Sequence, residues 1–319
     1  GHYQLLAARD ELDLLKQFTD FVIRREFPHL SPDGEITRDT YIEWFAEVSE
    51  RTAHLMVHWM RVGFVHGVMN TDNMSILGET IDYGPYGWLE GFDPTWTPNT
   101  TDAGQKRYRY AQQPAIAQWN LMQLANAILP LVEDPKPLED VLTAFASGYE
   151  IKWQQMMADK LGLKHYHSEL TDQLLQLLTR HETDMTIFFR QLAQSSEDAE
   201  ASLARLENAF YSADTRPAKL QEDYLAWLIR YHRVAQEQGQ TDTARAEQMN
   251  LTNPLYVPRN YLAQIAIDAA EAGDYSKLDE WMRVLGKPYE EQPDAEAYAE
   301  KRPEWARNKA GCSMLSCSS

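Results

Sequence analysis

Several polar residues in the segment from His66 to Gly84 have types and spacings that suit metal-assisted chemistry. Asp72 and Asn73 are adjacent, and Asp82 follows nine residues after Asn73. Oxygen donors at the two ends of a tight hairpin can converge on one cation, and magnesium is held by one or two protein carboxylates together with water and substrate phosphate. The segment therefore predicts a metal site at Asn73 and Asp82, with Asp72 beside the cation, suited to phosphoryl or nucleotidyl transfer.

The spacing of these residues is that of a protein kinase catalytic loop, in which His-Arg-Asp-Leu-x-x-x-Asn precedes Asp-Phe-Gly. His66 and Asn73 lie seven residues apart, and Asp82 is followed by Tyr and Gly. The usual base position, two residues after the histidine, is Val68, so Asp72 is the nearby carboxylate that could replace that base. An isolated Asp-x-Gly is also common in turns, so a turn without a metal remains the alternative.

The patterns on either side of this segment predict the elements that position it. Apolar residues from Tyr41 to Val62 recur at spacings of three and four, which predicts a helix with one buried face that leads into the loop. We expect short strands around residues 68–83, with a hairpin from Ser75 to Ile81. Residues 84–112 are rich in Pro, Gly and aromatic residues and predict a long ordered loop.

The remaining sequence predicts a mainly α fold. Pro114 occupies a favoured first-turn position of a helix, and Gly162 is suited to a helix C-cap. Helices are predicted over 5–27, 114–131, 137–161, 168–193, 198–211, 216–238, 242–249, 258–272 and 275–285. We divide the chain into residues 1–134, which hold the motifs, a helical region at 135–291, and a polar tail at 292–319.

Composition restricts the partners and the compartment. Forty-eight acidic and 30 basic residues give a net charge of −18, which disfavours nucleic acid or an anionic membrane as a partner because the field of the chain repels phosphate. Apolar runs fall short of the roughly 20 residues that a membrane-spanning helix needs. The two cysteines, both close to the end, do not form a disulfide framework, which favours the reducing cytoplasm.

Taken together, these motifs closely resemble the selenoprotein O family, also called YdiU. The resemblance covers essentially the whole chain. It is carried by His66 to Asp82 with Tyr83-Gly84-Pro85-Tyr86-Gly87-Trp88 after it, by Arg107-Tyr108, by Gln113-Pro114 with Trp119-Asn120-Leu121, by Asn260 to Gln264 with Asp268 to Glu271, and by Cys317-Ser-Ser. It implies the C-lobe of a protein-kinase-like fold, from an α+β parent, with an added helical C-terminal region. It also implies a pseudokinase that binds ATP in a flipped orientation and transfers AMP to Ser, Thr or Tyr hydroxyls of proteins.

The resemblance also implies roles for individual residues. Asp72 would be the base, Asn73 and Asp82 would hold Mg²⁺ or Mn²⁺, and Arg107 is a candidate contact for ATP. Cys317 occupies a position that is selenocysteine in some members and cysteine in many bacterial members. The stretch from Thr97 to Thr100, where some members have a cysteine that can pair with this end, has none, so Cys312 and Cys317 are the available pair. A redox role for these thiols and a tail without such a role both remain open.

Parts of the family pattern are missing from this chain. The family's N-terminal lobe carries a glycine-rich nucleotide loop, a phosphate-binding lysine and arginines that grip ATP, and none of these is found here. Gly1 in place of Met also suggests a chain cut from something longer. We therefore expect a C-terminal fragment that cannot adenylylate a protein by itself. Phosphotransfer to a small molecule and a non-catalytic interaction module with a kinase fold are the alternatives.

Overall fold

The computed structural model describes residues 1–211, 218–312 and 315. The chain is mainly helical, as predicted. The helices are α1 (His2–Ala8), α2 (Leu12–Glu26), α3 (Arg38–Val62), α4 (Gln113–Val132), α5 (Pro135–Lys160), α6 (Ser168–Arg180), α7 (Met185–Leu192), α8 (Ala199–Arg205), α9 (Ala218–Glu237), α10 (Asp242–Thr252), α11 (Asn260–Glu271) and α12 (Ser276–Leu285). Two short strands, β1 (Phe64–Val65) and β2 (Gly87–Trp88), pair antiparallel, with Phe64 opposite Trp88.

The chain forms two compact units. The first comprises Gly1–His58, Val68–Gly84 and Ala111–Trp153. In it, α1 packs on α2 and α4, and α2 also packs on α4. The predicted apolar face of α3 is buried, with Trp44 and Phe45 fully shielded from solvent. Removing such aromatic surface from water stabilises this unit.

The second unit comprises Trp59–Gly67, Pro85–Tyr110 and Gln154–Ser319. Helix α9 packs on α6 and α8, α7 packs on α10, and α11 packs on α12. Its interior contains many aromatic side chains, and the rings of Phe188 and Phe189 meet edge to face at 5.5 Å between centroids. Residues 84–112 form the ordered loop that was predicted, with Phe92 and Tyr110 buried.

The two compact units do not coincide with the three regions predicted from the sequence, which were divided at 134/135 and 291/292. That division stays a prediction. Among the described residues, no helix is long and apolar enough to cross a membrane. Gly162 follows α5 with a φ of +62°, which confirms the predicted C-cap.

The strands predicted around residues 68–83 are wrong. The structure has a turn there instead, in which the backbone N–H of Gly78 donates to the Ser75 carbonyl at 3.4 Å. The backbone N–H of Leu77 donates to the Ser75 hydroxyl at 3.1 Å, so a side chain takes a donor that a hairpin ladder would use. The only strand pair in the described part of the chain, β1 and β2, lies outside this segment.

Two of the predicted long helices are each split into two. Residues 5–27 contain α1 and α2, separated at Asp10, whose φ of +57° is incompatible with a continuous helix. Residues 168–193 contain α6 and α7, separated at Thr183 and Asp184. The carboxylate of Asp184 caps α7 by accepting the backbone N–H of Ile187 at 3.0 Å, so the second helix starts there.

Candidate active site

The predicted metal ligand Asn73 is held by two hydrogen bonds within its own loop. Its backbone N–H donates to the Asn70 carbonyl at 3.0 Å, closing a turn that contains Thr71 and Asp72. Its side-chain Nδ2 donates to the Val68 carbonyl at 2.9 Å. Because a carbonyl can pair only with the N–H end of the amide, this bond fixes the side chain and leaves Oδ1 for another partner.

The turn after Asn73 is packed against helix α3. Gly78 has a φ of +72°, and a Cβ placed on it would lie 2.9 Å from Cβ of Arg51 and 3.0 Å from the Arg51 carbonyl oxygen. Both the conformation and the close approach require glycine. The glycine therefore lets the segment between Asn73 and Asp82 pack closely against α3.

Asp82 ends this segment in a compact and unusual conformation. Its φ is +57°, which is uncommon for a residue with a side chain, although Asp tolerates it better than most. The backbone N–H of Gly84 donates to the Asp82 carbonyl at 2.8 Å, so the chain turns sharply at Tyr83. The Asp82 residue is exposed, so its carboxylate is open to a ligand.

Asp72 lies next to Asn73 and is exposed. Helix α4 holds the backbone that precedes Asp72, because Nδ2 of the buried Asn120 donates to the Met69 carbonyl at 3.0 Å. Gly1 lies directly against Asp72, so a Cβ on Gly1 would be 3.0 Å from Asp72 Cα. An exposed carboxylate on a braced loop can reach a hydroxyl group of an incoming molecule and accept its proton.

The donor atoms of Asn73 and Asp82 suit a hard cation. An amide oxygen and a carboxylate are oxygen ligands of the kind that Mg²⁺ and Mn²⁺ prefer, and Mg²⁺ needs few protein ligands when phosphate and water complete its shell. Across residues 1–211, 218–312 and 315, no group of three or more His, Cys, Asp or Glu side chains could hold a metal. A metal bound at these two residues would need water or substrate oxygens to complete its shell.

The second unit contains His66 and the residues that fix the backbone after it. His66 is buried against Trp59, with 5.4 Å between ring centroids. Asn99, also buried, donates through Nδ2 to the Gly67 carbonyl at 3.0 Å. Gly67 has a φ of +80°, and a Cβ there would lie 2.3 Å from the Pro85 carbonyl oxygen, so another residue cannot replace it without movement of the backbone.

Arg107 and Cys312 also belong to the second unit. The carboxylate of Asp102 accepts the backbone N–H groups of Arg107 and Tyr108 at 2.8 and 2.7 Å, which orders the loop around Arg107. Cys312 is only 2% exposed, and burial raises the pKa of its thiol, so it is not an activated nucleophile. Cys317 lies outside the described residues, and its pairing with Cys312 stays a prediction.

The tail approaches the stretch from Thr97 to Thr100 through backbone atoms. The N–H of Leu315 donates to the Pro98 carbonyl at 2.9 Å, and the Leu315 carbonyl accepts the N–H of Thr100 at 2.9 Å. The hydroxyl of Thr100 also donates to that carbonyl, at 3.0 Å. The part of the chain that the resemblance paired with the tail is therefore joined to it by hydrogen bonds.

Comparison with known proteins identifies the family. The family model described as protein adenylyltransferase SelO matches residues 1–285. The chain belongs to the SelO family. It is 51% identical over 337 residues to the protein nucleotidyltransferase YdiU of Rhodopirellula baltica, and 46% identical over 324 residues to that of Flavobacterium johnsoniae. Each alignment covers the whole chain and 62% of the relative, so the chain spans about three fifths of the length of these curated relatives.

The sequence did not predict the roles of two residues of this SelO family member. Asn120 contributes to the family resemblance only as part of a motif, and Asn99 lies in the stretch that lacks a cysteine. Each is a buried amide that holds a backbone carbonyl of the 66–73 segment. A polar residue on the apolar face of α4, between Ile116 and Leu124, was the available signal for Asn120, whereas Asn99 gave none because its partner is 32 residues away.

Proposed function

We propose that this chain supplies the base and the metal ligands of an enzyme that transfers AMP from ATP to hydroxyl groups of proteins. Membership of the SelO family supports nucleotidyl transfer. The braced loop that presents Asp72, Asn73 and Asp82 supports the assignment of roles within it. We also propose that the chain forms a kinase-like C-lobe and that it acts in the cytoplasm. ATP would be bound by residues outside this sequence, and Arg107 is a candidate contact within this sequence.

In the proposed reaction, Asp72 accepts the proton of a Ser, Thr or Tyr hydroxyl. The hydroxyl oxygen then forms a bond to the α-phosphorus of ATP, and the bond from that phosphorus to the bridging oxygen breaks, releasing pyrophosphate. Asn73 Oδ1 and the Asp82 carboxylate would hold Mg²⁺ or Mn²⁺, which when bound would neutralise charge on the phosphate oxygens. The bond from Asn73 Nδ2 to the Val68 carbonyl would orient Oδ1 before substrate binds.

The observation that carries this proposal is the exposed Asp72 beside an asparagine whose side chain is already fixed. The test is the Asp72→Asn variant of the whole protein, assayed by mass spectrometry of an acceptor protein incubated with ATP. We expect at least a hundredfold loss of AMP addition because general-base catalysis contributes about 10²–10⁴-fold. Glu79→Gln, an exposed acid in the same segment, is the matched control and should keep full activity.

The same experiment separates the alternatives by mass. Addition of AMP supports the proposal, addition of phosphate indicates a phosphotransferase, and an unmodified acceptor indicates an interaction module. AMP addition that survives in the Asp72→Asn variant would show that Asp72 is not the base.

A further inference from the structure

A cavity of about 360 Å³ opens beside Asp72 within the first unit. It lies among α1, α2, α3, α4 and the turn after Asn73, and its lining is mainly apolar. Phe18, Val22, Met74, Ile76, Leu121 and Leu124 provide much of this surface. Its volume falls in the range of small-ligand sites, which is about 300–1,000 Å³.

Two buried polar side chains that line this cavity have atoms without a hydrogen-bond partner among the described residues. Asn120 is 7% exposed, and its Nδ2 donates to the carbonyls of Met69 and Ile116, but its Oδ1 accepts nothing. Tyr3 is 8% exposed, and its hydroxyl is also unpartnered. Leaving a buried polar group unpaired is unfavourable, so both atoms favour a ligand that pairs with them.

The orientation of the Asn120 amide restricts what the ligand can be. Two carbonyl acceptors hold its Nδ2, so Oδ1 cannot exchange places with it and can only accept a hydrogen bond. Burial raises the pKa of Tyr3, which keeps its hydroxyl neutral and able both to donate and to accept. The ligand therefore carries a donor for Asn120.

Charge restricts the ligand further. The carboxylates of Asp72 and Glu26 line the cavity, and no Lys or Arg of the described residues does. A phosphate group would meet two negative charges; the Gly1 amino group and His2 also line the cavity, and the amino group already interacts electrostatically with Asp72. The complementary occupant is neutral, largely apolar, and carries a hydrogen-bond donor.

We propose that the cavity binds an indole or phenol side chain of the acceptor protein, a few residues from the hydroxyl that Asp72 deprotonates. This inference rests on the proposed function, because the acceptor must bring its hydroxyl to Asp72. Residues adjacent along a peptide are 3.8 Å apart, so a neighbouring side chain can enter the cavity while the hydroxyl stays at its mouth. The enzyme would thus select hydroxyls that have Trp or Tyr nearby.

The test is binding of blocked seven-residue peptides to the whole protein, followed by fluorescence anisotropy of a dye on the peptide. Each peptide has one Ser, and each neighbouring position carries in turn Trp, Tyr, Phe, Leu or Asp. At one position we expect Trp and Tyr to bind on the order of tenfold more tightly than Phe, which has the ring but no donor. Equal binding of Trp, Tyr and Phe at every position would overturn the inference.

Two variants make the test specific to the cavity. Leu124→Trp fills it from α4 and should abolish the preference, whereas Leu129→Trp, a half-buried residue of α4 outside the cavity, should keep it. Tyr3→Phe removes one hydroxyl and should weaken the Tyr peptide about fivefold while leaving the Trp peptide unchanged, because indole accepts no hydrogen bond from Tyr3. A preference that persists in folded Leu124→Trp protein would place the aromatic side chain elsewhere.

Binding is measured without nucleotide, so it does not depend on the reaction. Aromatic preference without AMP transfer would support the site and contradict the proposed function. AMP transfer without aromatic preference would support the proposed function and contradict the site.

Discussion

At the scale of single residues, the candidate site depends on amides that fix the backbone before any substrate arrives. Asn73, Asn120 and Asn99 each use Nδ2 to hold a main-chain carbonyl. A hydrogen bond of this kind contributes about 0.5–1.5 kcal/mol, which is small for stability but sufficient to orient a loop. Asn73 thus has two roles: Nδ2 fixes the loop backbone, and Oδ1 is the proposed metal ligand.

Substitution of Asn73 tests this dual role. We predict that Asn73→Ala in the whole protein raises the Mg²⁺ concentration needed for half-maximal AMP transfer by more than tenfold, because a ligand oxygen is lost. The measurement is activity against Mg²⁺ concentration, with Asn126→Ala, an exposed position on α4, as the control. An unchanged Mg²⁺ dependence would remove Asn73 from the metal site.

Glu90 gives a prediction about pH. It is 8% exposed, and burial raises its pKa to about 7, although Arg259 and Arg302 oppose that rise. Because the folded state holds this proton more tightly than the unfolded state does, the stabilisation is complete below about pH 4.5 and is lost as the pH rises through about 7. We expect the free energy of unfolding to fall by up to about 3 kcal/mol across this window from this group alone.

The check is urea unfolding between pH 5 and 8, followed by tryptophan fluorescence. Glu90→Gln, which cannot ionise, should flatten the dependence on pH, whereas Glu79→Gln at an exposed site should not. Identical slopes in wild type and Glu90→Gln would contradict the raised pKa.

At the scale of elements, local patterns predicted α3, α4 and the later helices because one buried face leaves a periodic signal. The division between α6 and α7 left no such signal. It is fixed by Asp184, whose carboxylate pairs with Arg259, 75 residues later in the sequence. The predicted hairpin failed for a different reason, since the Ser75 side chain bonds to a nearby backbone N–H and makes a turn rather than a ladder.

The Asp184–Arg259 pair is predicted to be among the most sensitive sites for folding. Both side chains are buried, and two bonds of 2.8 and 3.0 Å join them. Removing one partner leaves an unpaired buried charge, so Arg259→Ala or Asp184→Ala should cost about 3–5 kcal/mol of unfolding free energy. Chemical denaturation measures this, and the double variant should cost clearly less than the two single changes together. Additive losses would mean that the two residues do not depend on each other.

At the scale of the whole molecule, the family and the mainly helical fold were predictable from the sequence because the motifs are specific and close together. Contacts that join distant parts of the chain, such as Asn120 to Met69, were not. The chain spans 62% of its relative from Rhodopirellula baltica, and its residues include no glycine-rich phosphate loop. The proposed ligands and base therefore address only part of an ATP site.

We predict that this chain alone transfers no measurable AMP, because its residues include no glycine-rich phosphate loop and Arg107 is its one candidate contact for ATP. Mass spectrometry of an acceptor protein after incubation with ATP and Mg²⁺ is the measurement, with the whole protein as the positive control. Robust transfer by the 319-residue chain would contradict this prediction.

The pairing of Leu315 with Pro98 and Thr100 has a consequence for how such proteins evolve. Every bond at Leu315 uses its main chain, so any residue that keeps its N–H can make them, and only proline cannot. Selection on this contact would then act on the spacing between the tail and the rest of the chain, not on the identity of the residue. An insertion or a deletion of one residue before Leu315 would alter the contact more than most substitutions at Leu315 itself.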